Sequence, residues 1–351
     1  MDNQSAGLLA TINYLGYLIG AIIPMWLVIV NKVTDLKIYL FINIISTLIM
    51  GLLDDFTVWT ILRLISGITS GTVFVLASNV ALEALRVAKK DGISGLLYSG
   101  VGLGIFTSSI FIFIYTSADT WKMTWIVLSL FSLIMGSFVL FGMRENPITE
   151  NEDSNSSNNT NNVAVKLKKK FIWGFSIAYF CEGAGYIITG TFLVAIVKSI
   201  PELADYAALS WMFVGLGAIP STILWSMMAN KLGHAKAIYL AFILQIIAVV
   251  LPVFSGSMMS LVISSLFFGA TFLGLTTLFM SKAQTLMFES ASKINLVASL
   301  TVIYSLGQMI APAFSGVLIG ESGNYNAALI FAAVILCIGL LSSFYSYRVT
   351  D

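Results

Sequence analysis

An all-α membrane protein, folded as a bundle of five transmembrane helices followed by a bundle of six, is the class that this sequence predicts. Composition is the first reason: the 351 residues are 58% hydrophobic and 10% charged, with mean hydropathy +0.93. That is more apolar surface than a water-soluble domain of this size could bury. The second is the length of the apolar runs, which approach the roughly 20 residues that cross a hydrocarbon core of about 30 Å as a helix. The third is a single long polar stretch, 144–170, that divides the runs into two groups.

The spans before that stretch fall at 6–30, 38–53, 58–81, 94–116 and 124–143, the second being short. After it they fall at 171–197, 207–228, 237–254, 258–280, 295–319 and 326–347. Residues 1–143 are therefore expected to form an N-terminal bundle, 144–170 a linker, and 171–351 a C-terminal bundle. The linker holds ENEDSNSSNNTNNV, too polar to pack a core, and then the basic run KLKKK.

Alternating sides from a cytoplasmic first loop, Asn31–Lys37, puts fifteen of the eighteen basic residues on the cytoplasmic side, among them Lys166, Lys168, Lys169 and Lys170. Lys122 and Lys198 fall opposite, and Arg63 lies within a span. The bias predicts a multi-pass protein of the plasma (inner) membrane with its N-terminus outside and C-terminus cytoplasmic. The linker is then cytoplasmic, and its Asn-x-Ser/Thr matches at Asn155 and Asn158 lie on the wrong side for glycosylation. MDNQSAG has no basic residue ahead of the first apolar run, so no cleaved signal peptide is expected.

Several chemistries are excluded. No G-x4-G-K-[ST] loop is present for ATP, and the single histidine, His234, cannot form H-E-x-x-H. Cys181 and Cys337 sit in apolar runs as small hydrophobes. No acid, base and nucleophile cluster together, so no enzyme, cofactor or metal is expected. Net charge of +1, spread through short loops, predicts no nucleic-acid partner.

An internal repeat crosses the linker. Trp26–Lys37 and Trp225–Lys236 both read W-x4-N-K-x4-K at an offset of 199 residues, each followed shortly by Ile-Tyr-Leu. Tyr98-Ser99 and Tyr304-Ser305 echo each other in the fourth and tenth spans. At the same offset the partner of 171–197 falls ahead of Met1. The first half is thus expected to lack one helix, with a late start or a truncation as the expected origin.

Ionisable residues inside a bilayer are costly, so each is a candidate for function. Glu182 lies about 16 Å along its helix from Phe171, near mid-membrane. Tyr179, Glu182, Tyr186 and Thr189 recur at spacings of 3, 4 and 3 and share one helical face, expected to look into a cavity. Arg63 shares its face with Ser66 and Ser70, and lies close enough to the outer end of its helix to serve either as a cavity residue or as a headgroup anchor. Asn13 with Tyr17, and Tyr304 with Gln308, are i,i+4 polar pairs. Gly16/Gly20, Gly67/Gly71 and Gly100/Gly104 are GxxxG pairs that predict close helix contacts.

These residues resemble the major facilitator superfamily over nearly the whole chain. Ala229–Gly233 is similar to its signature turn, the first copy lacking the glycine, and Arg63–Gly67 resembles its fourth-helix motif, in which an Arg faces the cavity. NYLGYLIGA (Asn13–Ala21) and EGAGYIITGTFL (Glu182–Leu193) resemble the YbfB-type branch. The resemblance implies a major facilitator fold, five plus six helices here against six plus six in the parent fold. It also implies proton-coupled or facilitated movement of a small solute through a central cavity, by a monomer and without ATP. Glu182, Arg63, Tyr179, Tyr186, Thr189, Ser66, Asn13, Tyr17 and Gln308 are the expected substrate or proton site. A membrane sensor or receptor on a transporter scaffold is the alternative.

Overall fold

The computed structural model describes residues 2–88, 95–115, 121–144, 168–289, 296–320 and 323–349. Most of the linker, with Asn155 and Asn158, lies outside the described residues. Among the described residues eleven helices are long and apolar enough to cross a membrane. The first group is α1 (Asn3–Trp26), α2 (Lys32–Leu52), α3 (Phe56–Val87), α4 (Gly95–Tyr115) and α5 (Trp121–Gly142). The second is α6 (Lys169–Lys198), α7 (Ala207–Leu232), α8 (His234–Phe254), α9 (Met258–Glu289), α10 (Leu296–Ile319) and α11 (Tyr325–Arg348). A short 3-10 helix, Pro201–Tyr206, joins α6 to α7. Hydrocarbon offers no water to the backbone, so each apolar run closes its hydrogen bonds within itself.

Two boundaries depart from the sequence reading. α1 stops at Trp26 and α2 starts at Lys32, because Asn31 and Asp35 reorganise the connection. Asn31 Oδ1 accepts from the Thr34 N–H at 2.6 Å and caps α2. The Asp35 carboxylate accepts from the Ile29 and Val30 N–H groups at 2.6 and 3.1 Å, and is 2% exposed. In the second copy of the repeat, Gly233 at φ +85° makes the turn and α7 runs on to Leu232. The structural register therefore differs from the 199-residue sequence offset: α8 and α9 begin 202 residues after α2 and α3. Asp35→Ala strands two backbone donors and is expected to cost about 1–3 kcal/mol, seen as a lowered melting temperature in detergent.

Each bundle is held by close helix seams. α1 packs on α3, and α2 on α3 and α5; α6 packs on α10 and α11, α7 on α9, and α8 on α9 and α11. The α1–α3 seam carries both of its expected glycine pairs. A Cβ on Gly16 or Gly20 would strike the α3 backbone at Leu64 or Ile68, and one on Gly67 or Gly71 the α1 backbone at Asn13 or Tyr17. Gly100 and Gly104 do not behave this way. Neither faces a described atom within 4 Å, and the glycine that α4 packs closely is Gly102, against Ala218 and Ile219 of α7. Gly100 and Gly104, one turn apart, share one face of α4, while Gly102 lies on the opposite side and turns toward α7.

The bundles differ in one respect. In the second, α6 is a wrapped central helix; in the first, a cavity of about 490 Å³ lies between α2, α3 and α4, lined in part by Leu40, Asn43, Ser70, Ala77 and Tyr98. At the 202-residue register, Leu40, Asn43, Ser70 and Ala77 correspond to Phe242, Gln245, Phe272 and Phe279. Phe272 and Phe279 stack on α6 through Tyr186 and Tyr179, and Gln245 faces its Glu182.

Candidate functional site at the junction of the two bundles

The bundles meet along two seams, α1 on α10 and α4 on α7. The first is closed where α1 begins. Asn3 Nδ2 donates to the Gly320 carbonyl at 3.2 Å, and the Tyr325 hydroxyl to Asn3 Oδ1 at 3.1 Å. Just below, a Cβ on Gly7 would strike the Pro312 carbonyl, and Gly316 lies against Asn3 and Gln4. On the second seam Gly215 lies against the Phe106 backbone.

Tyrosines from both halves converge between these seams. Tyr14 and Tyr17 on α1 and Tyr98 on α4 come from the first bundle; Tyr179 and Tyr186 on α6 and Tyr304 on α10 come from the second. Tyr17 lies within electrostatic reach of Tyr98, Tyr179 and Tyr186, and Tyr14 faces Thr191 of α6. Tyr304 is stacked between Tyr179 and Tyr186, with ring centroids 4.6 and 5.8 Å away. Gln308 Nε2 donates to the Tyr186 hydroxyl at 2.5 Å. Apart from Tyr179, these rings are half-buried.

Glu182 stands beside this column and is 0% exposed. Its carboxyl faces Gln245 of α8 and Tyr304 of α10, and neither oxygen makes a hydrogen bond in this conformation. The Gln245 amide is likewise buried and unpartnered. The face bearing Tyr179, Glu182, Tyr186 and Thr189 therefore turns into the second bundle and not into an open cavity, as the spacing had suggested. Tyr179 stacks on Phe279 at 4.8 Å, Tyr186 on Phe272 at 5.6 Å, and Thr189 is buried toward the outer end of α6. The reason lies in the neighbours: α8 and α10 offer an amide and a phenol to a carboxyl that would otherwise meet only side chains such as Leu and Phe.

A steeper separation holds for Arg63. Its guanidinium lies 4.9 Å from the Trp125 ring centroid and within reach of Tyr14, whereas Glu182 faces Gln245 and Tyr304. The two ionisable residues do not pair. Asn43 Nδ2 donates to Thr69 Oγ1 at 2.9 Å and to the Ser66 carbonyl at 3.1 Å, so Ser66 serves the α2–α3 contact. Asn13 belongs to the α1–α3 seam, where its carbonyl meets Gly67. Among the described residues no cluster of three or more His, Cys, Asp or Glu could hold a metal ion.

This layout, two helical bundles meeting at two glycine-rich seams around a polar and aromatic centre, has counterparts among known proteins. The family model for the uncharacterised MFS-type transporter YbfB matches residues 1–343. The chain belongs to that family.

Solved transporters share the fold of this YbfB-type protein. A mutant of the nucleoside transporter NupG superposes with a TM-score of 0.74 at 12% identity, covering 99% of this chain and 92% of that one. NupG itself gives 0.71 at 14%, covering 99% and 91%. A bacterial homologue of the human lysosomal transporter Spinster, inward-facing and unoccupied, gives 0.64 at 14%, covering 99% and 91%. No curated protein matches the chain.

Sequence reading of this YbfB-type protein missed Gln245, Tyr14 and Trp125. Gln245 had a signal, being the one amide inside an otherwise apolar eighth span. Tyr14 and Trp125 had none, since aromatic residues are ordinary in a membrane helix.

Proposed function

We propose that this YbfB-type protein is a secondary transporter of a small solute, coupled to protons, with Glu182 as the group that takes up and releases the proton. The observation that carries the reading is the sealed, unpaired carboxyl of Glu182 beside Tyr304 of α10. An ionised carboxylate there would cost several kcal/mol without a cation, so the closed bundle favours the carboxyl with its proton on. Departure of the proton leaves a charge that must find donors. Gln245 and Tyr304 are the nearest, and either response moves α10 or α8 relative to α6.

α10 also carries Pro312 and Gly316, which meet α1 at the seam between the halves. One helix thus joins the proton site to the surface along which the bundles would rock to give alternating access. In this reading the protein works as a monomer in the plasma membrane, and the distribution of Lys and Arg supports a cytoplasmic C-terminus and an N-terminus outside.

The test is flux in reconstituted vesicles under an imposed pH gradient, against a panel of metabolites and drugs. Gradient-driven accumulation of a solute is expected in the wild type. In Glu182→Gln, which keeps the shape of the side chain, accumulation is expected to fall at least 100-fold while gradient-independent exchange persists. Undiminished accumulation in that variant removes Glu182 from the mechanism, and saturable ligand binding with no flux for any solute favours a receptor.

A further inference from the structure

Arg63 is the single Lys or Arg in the interior of the apolar spans, and among the described residues no acid pairs with it. It sits about 10.5 Å from the outer end of α3, at 1.5 Å per residue. Its Nε is buried without a hydrogen bond. The groups that meet the guanidinium are the face of Trp125 on α5 and the hydroxyl of Tyr14 on α1, both uncharged. The acids nearest along the chain toward the outer surface are Asp55, which accepts from the Val58 N–H, and Asp54, which is engaged by Lys122. One turn above Arg63 and Trp125 along their helices, Trp59 and Trp121 meet edge to face at 5.2 Å. Glu182 belongs to the other bundle.

A cation held at this depth without a counter-ion is expensive. A headgroup anchor would extend toward the outer surface, but this guanidinium lies over the Trp125 ring, one helical turn inward from Trp121 at the start of α5. The guanidinium is a planar fork suited to gripping a carboxylate or phosphate through two parallel hydrogen bonds. Trp125 lies beneath it and Tyr14 beside it, facing Thr191 of α6, and Tyr14 lies in turn within electrostatic reach of Tyr17 and Tyr186 among the half-buried rings of the junction. Tyr179, Tyr304 and Tyr186 already form a column of near-parallel rings, the arrangement into which another flat ring inserts.

We infer that Arg63 is the seat for the anionic group of the transported solute, and that the solute is an aromatic organic anion whose ring packs among the tyrosines at the bundle junction. This rests on the transport reading above and gives its solute a charge and a shape. Binding neutralises Arg63, and Tyr14, which touches both the Arg63 site and α6, reports occupancy from one bundle to the other.

The experiment titrates the purified full chain in detergent with benzoate, 1-naphthoate and phenyl phosphate, and with benzamide and benzyl alcohol as neutral isosteres. Affinity is read by calorimetry and by the rise in melting temperature. Saturable binding of one or more of the anions, at least tenfold tighter than that of either isostere, is expected. Arg63→Gln is expected to lose at least tenfold in anion affinity and Arg63→Lys to fall between. Equal response to anions and neutral isosteres overturns the inference whatever the variants do, so it stays testable if Arg63→Gln does not fold. Unchanged anion affinity in a folded Arg63→Gln overturns it as well. Vesicle flux separates the two proposals: transport of a neutral solute without anion binding sinks this inference alone, and anion binding without flux of any solute sinks the transport reading alone.

Discussion

Bridging cysteines placed at Asn3 and Tyr325 with a short bis-thiosulfonate cross-linker, which joins them through disulfide bonds, is expected to stop solute flux almost completely, with recovery on reduction. The two side chains already touch, hydroxyl to amide at 3.1 Å, across the end of the α1–α10 seam. Alternating access requires the bundles to part at that end in half of each cycle, so a covalent tie there holds one state only. The background variant carries Cys181→Ala and Cys337→Ala, which removes the native thiols. Substrate binding from the opposite side is expected to survive the tie. Flux that continues at its normal rate through a fully cross-linked protein would mean the bundles do not separate along this seam.

The largest loss of stability is expected from Gly67→Val. A Cβ at this position would overlap the Asn13 carbonyl and crowd the Tyr17 backbone, and neither is the movable end of a side chain. Relief requires α1 and α3 to move apart, which also opens the contacts of Gly16, Gly20 and Gly71. Overpacking costs 1–3 kcal/mol in ordinary cores and more where backbone is struck, so a loss of about 3 kcal/mol or more is expected. Thermal melting in detergent measures it. Gly104→Ala is the control, since a Cβ there meets no described atom within 4 Å and alanine is the better helix former. A melting temperature that falls equally in both variants would show that the seam is not what holds the first bundle.

The elements were legible because membrane helices announce themselves one at a time. Each span is set by its own run of apolar residues, and all eleven could be placed without knowing their neighbours. Ends were harder. α1 stops at Trp26 because Asp35, nine residues on, takes up the N–H groups of Ile29 and Val30. Arg63 and Glu182 stood out by the cost of placing them in a bilayer. Their directions did not, because a spacing of 3, 4 and 3 says which residues share a face and not which helix that face meets. The contact between Asn3 and Gly320 joins residues 317 apart, beyond the reach of any periodicity. Gln245 was passed over because an amide inside a span is cheap beside a charge. It becomes informative only as a neighbour of Glu182.

The contrast between a wrapped α6 and a cavity of about 490 Å³ in the first bundle bears on how force passes through the molecule. Close-packed matter resists compression, while a void lets its walls move at little cost. The second bundle is therefore the stiff body, and the first is the compliant one. A displacement of α10 passes to α1 through the backbone contacts at Gly7 and Gly316, and the space among α2, α3 and α4 is where the first bundle can yield. The two halves carry the same W-x4-N-K-x4-K repeat, yet mechanically one serves as the frame and the other as the spring.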